Sequence, residues 1–204
     1  MSDTPIHSSR RARCERCALP ARTCICALVT RVDNEVAVLV LQHPDEAEEA
    51  KNSARLLRLG LARCRVVVGE FFEPPTLLAL LDGDVSGAAL LYPADTAAGT
   101  GLTQNAAPRR LVVLDGTWRK SLRMLHANPL LQSLPRWAIA ATAPARYAAL
   151  RKARRPAQLS TLEATCAALA RIEDAPARYA PLLAAFDRFV ADGAARASRG
   201  PAPE

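Results

Sequence analysis

Asp115 closes the apolar run Leu111 to Leu114 and is followed by Gly116, Thr117 and Trp118. A strand that ends in a carboxylate displays it at a sheet edge, and open parallel sheets bind ligands just beyond the carboxyl ends of their strands. Asp-Gly is also a common turn dipeptide, so Asp115 is read either as a turn residue or as a group that does chemistry. The second chemical cluster is sulfur. Cys14 and Cys17 are spaced C-x2-C, and Cys24 and Cys26 follow as C-x-C. Thiolates are soft ligands that suit zinc, and a tetrahedral site of four sulfurs is closed, which makes it structural. Cys64 opens an apolar strand and Cys166 falls inside a helical pattern; both read as core residues.

Strands and helices must position these groups. Residues 35–42, 64–68, 88–92 and 111–114 read as strands, and 48–61, 75–81 and 117–127 as helices. A short strand near 137–141 and helices at 161–171 and 181–190 complete the pattern. Strands alternating with helices give an α/β domain, a mostly parallel sheet with helices on both faces. Ser160 and Glu163 are spaced as a capping box at the start of one helix. The chain divides into a flexible basic lead (1–13), a four-cysteine knuckle (14–28), one main domain (29–192) and a disordered tail (193–204). At 204 residues it is long enough for one real core with a small appendage.

Lys and Arg number 27 against 20 Asp and Glu, a net charge of +7, with a pI near 9.5. That balance favours a polyanionic partner or an anionic membrane surface. Lys51, Arg55 and Arg58 are spaced four and then three, which stacks them on one face of the helix expected at 48–61. Arg151, Lys152, Arg154 and Arg155 make a second basic stretch, with Tyr147 beside it. Either stripe alone is also what a solvated helix face or loop looks like. Together with a cysteine knuckle they favour RNA phosphates, with Tyr147 free to stack on a base or to pack locally. Membrane binding is the weaker use of the same charge, because the cationic helix has no aromatic anchors. The first 13 residues lack the apolar core of a secretory signal, and no run approaches roughly 18 apolar residues. A cytoplasmic, soluble protein in a reducing compartment is the expectation.

The order of motifs carries a resemblance. His43-Pro44-Asp45-Glu46 leads into Asn52-Ser53-Ala54-Arg55-Leu56-Leu57, Asp115-Gly116-Thr117-Trp118 follows, Tyr147 precedes Leu150-Arg151-Lys152, and Leu159-Ser160-Thr161-Leu162-Glu163-Ala164 comes last. With the cysteine cluster ahead of them, these resemble the DTW-domain proteins from about Cys14 to Ala170. The resemblance implies a SPOUT-like fold whose C-terminal half is threaded into a trefoil knot that holds S-adenosylmethionine. It implies transfer of the 3-amino-3-carboxypropyl group of S-adenosylmethionine to N3 of a tRNA uridine, with methylthioadenosine released and no metal in the reaction.

In that chemistry Asp115 is the base or proton acceptor, or it orients N3 and balances the sulfonium charge. Thr117 and the N-H groups opening the following helix would meet the cofactor carboxylate. Trp118 would shelter adenine or pack the helix onto the sheet. Tyr92 and Pro93 would wall the cofactor, and Leu159, Ser160 and Thr161 lie where a SPOUT-like knot wraps it. Arg151 and Lys152 would hold substrate phosphate or the cofactor carboxylate, and His43 is either structural or a substrate contact. Two other readings stay open: a conventional RNA methyltransferase on the same scaffold, and a zinc-containing RNA-binding protein without activity. Nothing in the sequence sets an oligomeric state.

Overall fold

In the computed structural model, residues 12–49, 51–93, 107–139 and 159–198 are described. Five parallel strands form one sheet: β1 (Ala37–Gln42), β2 (Cys64–Val68), β3 (Ala88–Leu91), β4 (Arg110–Asp115) and β5 (Arg136–Trp137), in the order β2-β1-β4-β3-β5. The two central strands are buried on both faces, as parallel strands covered by helices must be. Val38 and Val40 of β1 join Leu111 and Val113 of β4 in one core layer. Leu39 and Leu41 join Val112 and Leu114 in the layer on the other side. The first layer is closed by α2 (Ala54–Gly60), α6 (Thr161–Ile172) and α7 (Ala180–Ser198), together with the cysteine knuckle. The second is closed by α3 (Pro74–Leu80), α4 (Trp118–Ala127) and α5 (Pro129–Ser133).

The α/β architecture with helices on both faces matches the sequence expectation; local boundaries differ from it, and the strand expected at 137–141 is β5, which starts at Arg136 and ends at Trp137. The helix expected at 48–61 is reduced to α2, and a separate helical piece, α1 (Pro44–Ala47), stands ahead of its expected start. His43 starts α1 by accepting the Asp45 N-H on Nδ1. Between the pieces the Asn52 side chain donates to the Glu46 carbonyl and accepts from the Arg55 N-H. Such local side-chain bonds compete with the helical ladder, and they interrupt it here. α7 runs to Ser198, past the point at 193 where a structureless tail was expected. α5 was not anticipated; Pro129 sits in its first turn, where a missing N-H costs nothing. The backbone threading that would decide a knot runs through 140–158, outside the described residues.

The sheet's connections create a crevice. From β1 the chain moves outward to β2, whereas from β4 it moves the other way, past β3, to β5. The carboxyl ends of β1 and β4 are therefore a topological switch point, where such folds bind ligands. α6 is anchored at its far end by Glu173, whose Oε1 accepts the N-H groups of Glu35 and Val36 just ahead of β1, each at 2.9 Å. Twelve residues of helix span about 18 Å. That length carries the start of α6 back to the opposite end of the sheet, beside Asp115.

Candidate active site

Gln42 and Asp115 are partners in the parallel register of β1 and β4, so their side chains emerge side by side at the crevice. Both are buried. Gln42 Nε2 donates to Asp115 Oδ2 at 2.7 Å, and Thr161 Oγ1 at the start of α6 donates to Asp115 Oδ1 at 2.6 Å. A carboxylate accepts from both donors as they stand, whereas a carboxylic acid could keep the contact with Thr161 only by turning that hydroxyl into an acceptor. The carboxylate is thus held in one orientation from two sides, by β1 and by α6. Its own backbone carbonyl accepts the His43 N-H at 2.9 Å, so the edge is also tied through the main chain. Of the two readings of Asp115, the tight turn alone leaves this clamp unexplained.

Thr117 caps α4, its Oγ1 accepting the Lys120 N-H. It does not line the adjacent cavity, and this helix cap is a structural use that its hydroxyl already has. The cavity, about 320 Å³, is walled by Tyr92, Pro93, Trp118, Leu159, Ser160 and Thr161, which the sequence placed beside the cofactor; Asp115, placed there too, is buried next to Thr161 and does not line it. Ser160 also completes the capping box: its Oγ accepts the Glu163 N-H, and Glu163 Oε2 accepts the Ser160 N-H at 2.8 Å. Tyr92 is stacked under Trp118, ring centroids 5.2 Å apart and planes 17° from parallel. The Arg136 guanidinium lies over Tyr92 at 5.4 Å. Desolvation raises the Tyr92 phenol above its ordinary range. Among the described residues Tyr92 Oη and Trp137 Nε1 are buried without a hydrogen-bond partner, and both residues wall this mostly apolar cavity. Unpaired polar atoms in such a place fit a ligand that supplies the missing partners.

Sequence reasoning missed Gln42, Trp137 and Arg136. Gln42 carried a signal of the same kind as Asp115, a polar residue closing a buried apolar strand. Trp137 was placed on a short strand, but nothing local marked it or Arg136 as part of the site, because their partners here come from β3 and the cavity it borders. His43 is buried and serves as the cap of α1. Its Nε2 lies 3.5 Å from Glu70 Oε2.

The four knuckle sulfurs lie within 4.8 Å of one another. Cys14 and Cys26 are 3.7 Å apart, sulfur to sulfur, and Cys17 and Cys24 are 3.8 Å apart. A tetrahedron with zinc–sulfur bonds of about 2.3 Å has edges of about 3.8 Å, so the C-x2-C and C-x-C pairs are preset for zinc. Backbone N-H groups of Cys17 and Arg16 bring the Cys14 thiol down to about 6. Burial, then the neighbouring Cys14, pushes Cys26 up to about 12. Cys64 and Cys166 pack in or against the core, and burial raises each to about 12, in keeping with a packing role.

The basic stripe on α2 is built differently from the free outer face expected. Lys51 is exposed in the turn before the helix. Arg55 folds inward: Nη2 donates to the Ala47 carbonyl at 3.1 Å and Nη1 is buried. Arg58 is exposed, but its Nη2 is bonded to the Arg16 carbonyl of the knuckle. The interruption at Asn52 takes Lys51 off the helix, and the knuckle's carbonyl draws Arg58 to it. Tyr147, Arg151, Lys152, Arg154 and Arg155 lie outside the described residues.

A parallel α/β sheet with a clamped carboxylate at its switch point, a small apolar cavity beside it and an appended four-cysteine site defines a ligand-binding α/β enzyme-type domain with a zinc-ready knuckle. Residues 11–193 match the family model described as the DTW domain, and the chain belongs to that family. It is 30% identical over 177 residues to tRNA-uridine aminocarboxypropyltransferase 2 of Drosophila melanogaster, covering 82% of this chain and 69% of that protein. It is 30% identical over 176 residues to the protein of the same name from Mus musculus, covering 82% of this chain and 58% of that one. The aligned region thus leaves about a third or more of each relative's length unmatched. No solved structure matches this chain. Among the described residues no helix is long and apolar enough to cross a membrane.

Proposed function

We propose that this protein transfers the 3-amino-3-carboxypropyl group of S-adenosylmethionine to N3 of a uridine in tRNA. A bond forms between N3 and the methionine-side carbon, the bond from that carbon to the sulfonium sulfur breaks, and methylthioadenosine leaves. The N3 proton departs to a base or to solvent. The observation that carries this reading is the clamp on Asp115 beside the apolar cavity, in a chain of the DTW family. Relatives at 30% identity bear the name of this activity.

The cavity walls and two polar atoms unpaired among the described residues, Tyr92 Oη and Trp137 Nε1, fit the methylthioadenosyl end of the donor. S-adenosylmethionine, when bound, supplies the electrophilic carbon. Gln42 and Thr161 hold Asp115 as an anion at the crevice, where it faces the developing reaction as proton acceptor or as the counter-charge of the sulfonium. Holding the two reactants in line is the larger contribution, since both are brought to near-attack distance before any bond changes. The cysteine knuckle, with zinc bound, would fix the N-terminal segment against α2 and take no part in the chemistry. Lys51 and Arg58, with Tyr147, Arg151, Lys152, Arg154 and Arg155, are proposed to meet tRNA; the inward Arg55 is proposed to brace α1 and the knuckle.

The test is product analysis on purified protein with tRNA and S-adenosylmethionine, joined to mass spectrometry of the tRNA nucleosides. Methylthioadenosine with aminocarboxypropyluridine is the expected result. S-adenosylhomocysteine with a methylated base would identify a methyltransferase instead, and neither product would leave an RNA-binding protein.

A further inference from the structure

Trp118 is half exposed, one of four large apolar side chains left open among the described residues. Its exposure is one-sided. The inner face is taken by Tyr92, whose ring is itself braced by Arg136, so the indole is fixed from behind. No second flat ring can enter between Trp118 and Tyr92, which lie at stacking distance already. A ligand in the 320 Å³ cavity therefore meets the wall that Trp118 helps to form, and the outer face of the indole stays available to something else. Trp118 is the first residue of α4 and lies three residues after Asp115, at most about 11 Å of chain. A flat group on that outer face would lie at the same edge of the sheet as the clamped carboxylate.

The rest of the outer face of α4 is cationic. Arg119 is exposed, and no carboxylate pairs with it among the described residues. Arg123 lies one turn further on, exposed and paired with Glu70. The opposite side of the helix buries Ser121, Met124 and Leu125. A fixed aromatic platform followed by basic side chains is the arrangement with which proteins hold single-stranded nucleic acid, because every base has a flat face and every linkage a negative charge.

We propose that the outer face of α4 is the acceptor surface: Trp118 stacks the target pyrimidine of a single-stranded RNA segment, and Arg119 holds the phosphate beside it. The occupant is a pyrimidine nucleotide, since the cavity behind the indole is the place for the donor and Asp115 is the group a pyrimidine edge would approach. The assignment rests on the transfer reaction proposed above for the choice of base. The stack gives the acceptor the orientation it needs relative to the donor without any hydrogen bond to sequence.

The experiment uses the full chain with oligouridylate, tRNA and S-adenosylmethionine. The protein has two tryptophans, so Trp137→Phe leaves Trp118 as the only emitter. Oligouridylate is expected to quench its fluorescence, and a titration without quenching would overturn the proposal even if other variants fail to fold. Trp118→Ala should weaken oligouridylate and tRNA binding roughly tenfold to a hundredfold, clearly more than it weakens calorimetric S-adenosylmethionine affinity, because the indole is only one of the walls of the donor cavity. Trp118→Phe should recover most of the loss. Arg119→Ala should lower the slope of log K against log salt by about 0.7 for a single strand. If Trp118→Ala weakens the donor as much as the RNA, or leaves RNA binding unchanged, the outer face is not a base platform. Binding needs no turnover, so RNA affinity that depends on Trp118 in a protein without aminocarboxypropyl transfer would refute the reaction and leave the surface standing. Transfer that survives Trp118→Ala at full RNA affinity would do the reverse.

Discussion

Replacing Asp115 by Asn keeps the shape of the side chain and removes its charge, and the surrounding donors determine what that does. Gln42 Nε2 and Thr161 Oγ1 now approach from both sides at 2.7 and 2.6 Å. Asn offers one acceptor and one donor, so one neighbour must change roles. The Thr161 hydroxyl can do so by rotating, because it is donor and acceptor alike. If the new amide group instead faces Gln42, the Gln42 amide has to flip. Even one donor left unpaired costs about 1–3 kcal/mol, against a total stability of about 5–15 kcal/mol for an ordinary domain. Asp115→Asn should therefore fold, with a lower melting temperature. Turnover should fall by roughly a hundredfold or more, equivalent to about 2.7 kcal/mol in the barrier.

The assay is single-turnover formation of aminocarboxypropyluridine, with S-adenosylmethionine affinity and thermal unfolding measured on the same samples. The double variant Gln42→Glu, Asp115→Asn separates the two effects, because it restores a carboxylate facing an amide with the partners exchanged. It should regain melting temperature and not turnover, since the negative oxygen has moved one strand away from Thr161. Turnover of Asp115→Asn within about threefold of the parent would refute a chemical role for Asp115. Recovery of turnover in the double variant would show that the clamp acts only through stability.

Cys14→Ser with Cys17→Ser should remove stoichiometric zinc and lower the melting temperature together, read by metal analysis and calorimetry. Because zinc binds thiolates and protons compete for them, metal retention in the parent should decline as pH falls; retention unchanged in strong acid would contradict the thiolate site. Ser160→Ala should cost about 0.5–2 kcal/mol in denaturant unfolding through loss of the capping box on α6, and it should also lower activity, because Thr161 follows in the same first turn. Removing charge at Lys51 and Arg58, or at Arg151, Lys152, Arg154 and Arg155, should weaken tRNA binding and flatten its salt dependence while donor affinity holds. An unaltered salt slope would count against those contacts.

Local pattern carried a large part of this protein. The apolar runs at Val36 to Leu41 and Leu111 to Leu114, each bounded by polar residues, announced buried parallel strands, because burial on both faces leaves a continuous hydrophobic signature. Four cysteines within thirteen residues announced a metal-ready knuckle, and Ser160 with Glu163 announced a helix start, since both devices are satisfied by neighbours in the chain. Asp115 could be located at an edge for the same reason. What it faces there was a tertiary matter. Gln42 stands 73 residues away and Thr161 stands 46, and they meet Asp115 only because β1 and β4 are adjacent and in register and because α6 runs back to that end of the sheet. The order of strands is set by how the whole core packs, and no local period encodes it. Arg55 and Arg58 show the same limit from the other side. Their spacing described an outward stripe, yet a carbonyl in α1 and one in the knuckle claimed their guanidinium groups, because long cationic side chains go to whichever acceptor the assembled fold brings within reach.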